Sequence, residues 1–231
     1  MITSIIFDLD GTLVNSIKDL ASACNHALRI LNYPEKNIEE YCQFVGNGVI
    51  ELFKRCLPAD CKTPENIERM KVEFRKYYGD HLLDETLPYN GIKELLNVFV
   101  QENEKKRANG ASENELFKLA IATNKPDKFA HIIVNNFFPN VFDVIYGARE
   151  GFERKPSPEI INIILKDFNR DKDTAVMIGD SNVDIYTALN AGIRSIGCSW
   201  GFRGESELKD AGAEYIAHSS NEIYDFIKQM K

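Results

Sequence analysis

"IIFDLDGTLV", residues 5–14, ends a greasy run on two carboxylates, Asp8 and Asp10, and follows them with a glycine and a threonine. The stretch "SIIF" (4–7) has no helical period and is bounded by polar residues, so it reads as a strand buried on both faces. Two like charges at the end of such a strand repel, and burial makes the repulsion worse. In extended geometry Asp8 and Asp10 project to the same side about 6.6 Å apart. Gly11 permits a sharp turn away from the strand.

Beyond this turn the pattern changes period. Ile17, Leu20, Ala21, Cys24, Ala27, Leu28 and Leu31 recur at spacings of three and four, which predicts an amphipathic helix ending before Pro34. Helices are also predicted over 37–45, 49–57 and 64–83, with "GNG" (46–48) breaking the first from the second. From "LPYNG" (87–91) onward helices alternate with strands at 118–124, 142–148, 174–180 and 194–200, and the tail reads as mostly helix. Ser157 is expected as an N-cap with Pro158 at the first helical position, and Gly192 closes the helix after "NVDIYTALNA". Alternation of this kind predicts an α/β fold, a doubly wound Rossmann-like parallel sheet with helices on both faces. The expected division is a core of residues 1–15 and 87–231 with an inserted all-helical cap of residues 16–86. Residues 101–115, "QENEKKRANGASENE", read as an exposed polar loop.

In an open α/β sheet ligands bind beyond the carboxyl ends of the strands. Strand one ends in Asp8, "LAIAT" ends in Thr123 and Asn124, "VMIGD" ends in Asp180, and Lys155 lies between the last two in "RKPSPE". Singly, each is an ordinary loop starter, helix cap or surface lysine; Asp184 alone is a first-turn acid that suits a helix dipole. Together they converge on one edge. A divalent cation would relieve the clustered charge, since Mg2+ takes hard oxygen ligands, usually one or two carboxylates with waters and a substrate phosphate. Asp8, Asp180 and the main-chain carbonyl of Asp10 could supply three such oxygens.

"DLDGT" (8–12), "TNK" (123–125), "KPSP" (155–158) and "GDSNVD" (179–184) resemble, in order, the four motifs of the haloacid dehalogenase superfamily. The resemblance covers essentially the whole chain, including a helical insert of the C1-cap type. It is closest to the phosphoglycolate phosphatases in "VGNGV", "ATNKP" and "SWGFRGESELKDAGAEYIAHSSNEI". It implies a Mg2+-dependent phosphatase of a small phosphate monoester, 2-phosphoglycolate first among them. By that resemblance Asp8 is the nucleophile, Asp10 the acid/base, Thr123 and Asn124 hold phosphate oxygens, and Lys155 offsets charge. Asp180 binds Mg2+, and Asp184 binds it through water or orients a neighbour. Gly46, Asn47 and Gly48 face the site when the cap closes, where free amides suit a carboxylate. Arg55 and Arg203 read as surface residues before they read as anion contacts. Position 15 is Asn where the family usually has Asp; at the hinge it should cap a helix as well.

Composition sets the remaining expectations. A net charge of −7 argues against nucleic acid or an anionic membrane as partner, so the partner expected is a small phosphorylated metabolite. The five cysteines, Cys24, Cys42, Cys56, Cys61 and Cys198, form no CxxC pair and read as reduced thiols. The N-terminus has no basic n-region, which predicts neither signal nor transit peptide and points to the cytoplasm. Monomer and homodimer stay equally open. So do another phosphate ester, nucleotide or pyrophosphate as substrate, a phosphomutase, and a non-catalytic phospho-accepting or regulatory protein on the same scaffold.

Overall fold

The computed structural model describes residues 1–230. At its centre β1 (Ser4–Phe7) is buried along its whole length, which is why its sequence is a continuous apolar run and not an alternation. The chain then passes through β2 (Val14–Asn15), α1 (Ile17–Ile30), α2 (Ile38–Phe44), α3 (Val49–Cys56) and α4 (Pro64–His81) to β3 (Leu87–Pro88), which pairs antiparallel with β2. There follow α5 (Ile92–Ala108), β4 (Lys118–Pro126), α6 (Asp127–Phe137), β5 (Val144–Ala148), α7 (Glu159–Phe168), β6 (Ala175–Gly179), α8 (Asn182–Ala191), β7 (Arg194–Cys198), α9 (Gly204–Asp210), β8 (Tyr215–Ala217) and α10 (Ser220–Gln229). The sheet is parallel throughout in the order β5-β4-β1-β6-β7-β8, with Phe7 level with Ile121 of β4 and Ile178 of β6. The chain moves outward from β1 in both directions, so the switch of direction falls at β1 itself.

The period-two alternation of β1 divides the core. Ile6 packs with Ile161, Ile164 and Ala188 of α7 and α8, while Ile5 and Phe7 face the opposite layer. The helical block from α1 to α4 has its own buried residues. Met70, Phe74 and Tyr78 of α4 stand one turn apart, and Phe74 contacts Phe53 edge-on at 5.2 Å. The start of α4 is fixed by Thr63, whose side chain accepts the Asn66 N–H, and by Pro64 at the first turn. Among the described residues no helix is long and apolar enough to cross a membrane, and all five cysteines are free.

Several expectations need correction. Residues 101–108 are not loop but the last two turns of α5, which ends at Asn109 and Gly110 (φ 78°). Asn103 and Lys106 anchor this end onto the Phe117 and Glu115 main chain. The tail contains a strand, β8, at the sheet edge. β4 runs two residues past Asn124. α7 starts at Glu159, so Pro158 takes the N-cap position, although Ser157 Oγ still accepts the Glu159 N–H at 3.3 Å. β1 ends at Phe7 as expected, but the chain is not extended through Asp10, because the Leu9 carbonyl gathers the N–H groups of Thr12, Leu13 and Val14 into a turn with Gly11 at φ 90°. Asp10 therefore lies in that turn and not on an extended strand.

Two short crossings join the helical block to the sheet, and one buried acid holds them together. Asp19, in the first turn of α1 and 3% exposed, accepts Glu85 N–H at 3.0 Å, Thr86 N–H at 2.8 Å and Thr86 Oγ–H at 2.7 Å. The N-cap position of α1 is Ser16 and not Asn15, although Asn15 Oδ1 accepts the Ile17 N–H at 3.3 Å. Truncating Asp19→Ala strands three donors, two of them main-chain, and should lower stability by about 3 kcal/mol in urea unfolding. A midpoint equal to wild type would show that the crossing is held by packing alone.

Candidate active site

The carboxyl ends of β1, β4 and β6 open side by side at one sheet edge. Asp8 follows β1, and its N–H donates to the Ile178 carbonyl of β6 at 2.8 Å, fixing it beside Asp180. Asp184 reaches the same point from the first turn of α8. Its Oδ2 accepts the N–H (3.1 Å) and Oγ–H (2.7 Å) of Ser181, closing a capping box. Oxygens of Asp8, Asp180 and Asp184 lie within 4.8 Å of one another, and all three residues are buried. Lys155, 4% exposed, is 2.9 Å from Asp8 Oδ1 and 2.6 Å from Asp184 Oδ1.

One ammonium does not neutralise three carboxylates. Burial, followed by the Asp184 and Asp10 charges and against the pull of Lys155, lifts Asp8 to about 6. Burial, then the charges of Asp184 and Asp8, lifts Asp180 well above the usual carboxylate range. Lys155 keeps its proton: burial opposes the charge, but Asp184 and Asp8 outweigh it and raise its pKa above that of an ordinary lysine. Asp8 Oδ1, although within ion-pair distance of Lys155, accepts no well-aligned hydrogen bond among the described residues. The backbone makes room for the acids with glycine. A Cβ on Gly11 would stand 2.3 Å from Asp180 Oδ2, one on Gly201 2.1 Å from Asp180 Cβ, and one on Gly179 2.2 Å from Asp184 Cγ. Clustered buried hard oxygens, one of them without a well-aligned hydrogen bond, fit a divalent cation of the Mg2+ type.

Asp10 has different neighbours. Its Oδ1 accepts Ser16 Oγ–H at 2.5 Å and Lys125 Nζ at 3.0 Å, and its Oδ2 accepts Lys125 Nζ at 3.1 Å. Lys125, 5% exposed, also donates to Tyr78 Oη of α4 at 2.6 Å. Burial opposes its charge, yet Asp10 and Tyr78 hold its pKa above the lysine range. Neither Lys125 nor Tyr78 was singled out from the sequence. Lys125 stood in the quoted "TNK", and its signal was position alone, one residue past a strand-end pair already marked as functional.

The remaining expected residues divide. Thr123 is buried, and its Oγ accepts the Lys125 N–H at 3.2 Å. The Asn124 side chain brackets Lys155, accepting its N–H at 2.9 Å and donating to its carbonyl at 3.1 Å, and it donates to Gly46 O of the helical block at 2.9 Å. Gly46 (φ 118°) and Gly48 (φ 84°) border the cleft with Asp8, Asp10, Thr123 and Lys125. Asn47 is turned to Arg55, which donates to its Oδ1 at 2.9 Å. Arg55 and Arg203 bind main-chain carbonyls around this loop. Beyond the glycines, the helical block lines the cleft with Val49, Leu52, Phe74 and Tyr78.

Comparison with known proteins gives the same framework. A phosphoglycolate phosphatase of Colwellia psychrerythraea is 30% identical over 97% of this chain and 96% of its own. The crystal structure of a "predicted phosphoglycolate phosphatase" from Haemophilus somnus superposes with a TM-score of 0.84 at 29% identity, covering 97% of each chain. That of CbbY from Rhodobacter sphaeroides in complex with phosphate superposes with a TM-score of 0.76 at 27% identity, covering 96% of each. Residues 5–198 match the family model of the haloacid dehalogenase-like hydrolases, and the chain belongs to that family.

Proposed function

We propose that this hydrolase is a Mg2+-dependent phosphatase of small phosphate monoesters, with 2-phosphoglycolate as its substrate. The observation that carries the reading is the contrast between two carboxylates two residues apart. Asp8 lies in the acidic cluster beside Lys155, with no well-aligned hydrogen bond to its Oδ1 among the described residues, while Asp10 is held by Ser16 and Lys125. Different surroundings give neighbouring carboxylates different roles. Asp8 attacks phosphorus and becomes an aspartyl-phosphate as the ester oxygen leaves. Asp10 gives that oxygen a proton, then takes one from the water that hydrolyses the acyl phosphate. Lys155 offsets charge between Asp8 and the phosphoryl group. Thr123 Oγ already accepts from Lys125 N–H, which leaves its own hydrogen for a phosphoryl oxygen. The side chain of Asn124 keeps Lys155 and the Gly46 loop in place.

Asp8, Asp180 and the Asp10 carbonyl would hold Mg2+, which supplies charge neutralisation and a template for the phosphoryl oxygens. Both oxygens of Asp184 are engaged, by Lys155 and Ser181, so it orients the set and does not serve as a direct ligand. Support for 2-phosphoglycolate comes from the relatives that bear its phosphatase's name. Main-chain amides around Gly46 and Gly48 suit its carboxylate.

Phosphate release from 2-phosphoglycolate, hexose phosphates, nucleoside monophosphates and pyrophosphate tests the assignment. Release should favour 2-phosphoglycolate, stop with chelator and return with Mg2+. Preference for another ester would keep the mechanism and discard the substrate. Asp10→Asn should lower kcat by roughly 10²–10⁴-fold in a folded protein. The metal site has a readout free of turnover: at about 100 times its Kd, Mg2+ should stabilise the wild type by about 2.7 kcal/mol in thermal unfolding. Asp180→Asn removes a repelling charge, so without metal it should unfold no earlier than wild type, yet it should lose the response to Mg2+. A wild type indifferent to Mg2+ would sink the metal assignment.

A further inference from the structure

We propose that Arg203 is a positioning residue, a latch from the sheet that holds the loop after α2 down over the cleft. The loop needs donors. Helix ends leave carbonyls without intrahelical partners, and α2 ends at Phe44. Arg55 of α3 covers two of them, Gln43 O at 3.2 Å and Phe44 O at 2.8 Å, from within the helical block. The next two are covered from the sheet side. Arg203 Nη2 donates to Val45 O at 3.2 Å, and Asn124 Nδ2 donates to Gly46 O. Arg203 Nη1 adds a bond to Gln43 Oε1 at 2.8 Å. The Arg203 side chain is only 9% exposed, and among the described residues its one ion-pair contact is Glu207 at a loose 3.8 Å. Its bond to Val45 O is partly buried, whereas its bond to Gln43 Oε1 lies at the exposed rim.

The latch stands on a fixed base. Trp200 Nε1 donates to Thr12 O at 3.1 Å, and Phe202 N–H donates to Asp180 Oδ2 at 2.7 Å. Glu207 accepts the Asn182 N–H at 3.0 Å, at the start of the helix that bears Asp184. The four residues from Trp200 to Arg203 thus run from the acidic cluster to the loop that bears Gly46 and Gly48. If the helical block swings away, Arg203 loses both acceptors, so its bonds favour the closed arrangement alone. A protein whose competent state is less populated binds its ligand more weakly by that factor, with the chemical step untouched.

Hydrogen exchange read by mass spectrometry over residues 43–48 tests the latch on the full chain. In Arg203→Ala the exchange of this segment should quicken about tenfold while α4 stays at the wild-type rate. Gln43→Ala, an exposed change that leaves the fold intact, should move it the same way by less, and Arg203→Lys should recover part of the protection. In the same variants KM for 2-phosphoglycolate should rise about tenfold in Arg203→Ala, with kcat within about threefold. This kinetic arm rests on the phosphatase reading; the exchange arm does not. If wild type releases no phosphate from any ester, that reading fails and exchange alone decides. Wild-type exchange over 43–48 in both Arg203→Ala and Gln43→Ala overturns the latch, as does a fall in kcat at constant KM.

Discussion

The rest of the structure is arranged around the repulsion among Asp8, Asp180 and Asp184. Three buried carboxylates within 4.8 Å, only two of them paired with one lysine, are unfavourable wherever they occur. The sheet imposes their meeting. β1 lies between β4 and β6, and a parallel register sets the ends of neighbouring strands level. The residue after Phe7 and the residue after Gly179 then have to share one space. Glycine at positions 11, 179 and 201 keeps that space open, since a methyl group at any of them would overlap an acid. The fold offsets the cost with apolar strands beneath the cluster. β1 and β6 are buried along their full lengths, and Ser181 and Lys155 fix one of the acids in orientation.

What the sequence revealed of this arrangement follows from how local each signal is. β1, the alternation of helices and strands, and the polar groups at strand ends are written in contiguous runs, and the observed elements match them within a few residues. Lys125 was illegible because its partners are remote: Asp10 lies 115 positions away and Tyr78 lies 47 positions away. A lysine is rarely buried unless paired, and no local pattern announces such a pair. Residues 101–108 are helical because Glu, Lys, Gln and Arg are good helix formers. With little to bury, that end of α5 shows no apolar period and resembles a loop. Asp10 was displaced by a turn whose key acceptor is a main-chain carbonyl, Leu9 O, invisible in any side-chain pattern. Arg55 and Arg203 were read as surface residues with an outside role as anion contacts. In the structure they serve carbonyls of the same short loop.

The contacts between the helical block and the sheet are of a particular kind. Tyr78 bonds to Lys125 and meets Phe129 edge-on at 5.1 Å, Asn124 bonds to Gly46, and Arg203 bonds to Val45 and Gln43. Apart from the aromatic pair these are directional polar bonds. Polar groups can exchange such bonds for water at modest cost, whereas a broad dry face cannot. The connections at β2 and β3, in contrast, are closed by Asp19 with buried donors on every side. The buried Asp19 link therefore sits at the crossing, and the polar links from Asn124 and Arg203 sit at the mouth of the cleft.

Charge completes the reading. The chain carries a net charge of −7, and its cleft leads to three acids and one ammonium, an excess of acidic groups at the bottom. Lys125 offers no relief, because Asp10 already occupies it. A phosphate ester, itself anionic, meets repulsion in that state, strengthened by the low dielectric of the buried site. As proposed, a divalent cation would offset that excess and favour the ionised form of the Asp8 carboxylate. On the proposed reading, cation before ester is then the favourable order of binding. The two like charges that open the chain each have a lysine beside them, Lys155 at Asp8 and Lys125 at Asp10, and on the proposed reading a cation joins the first.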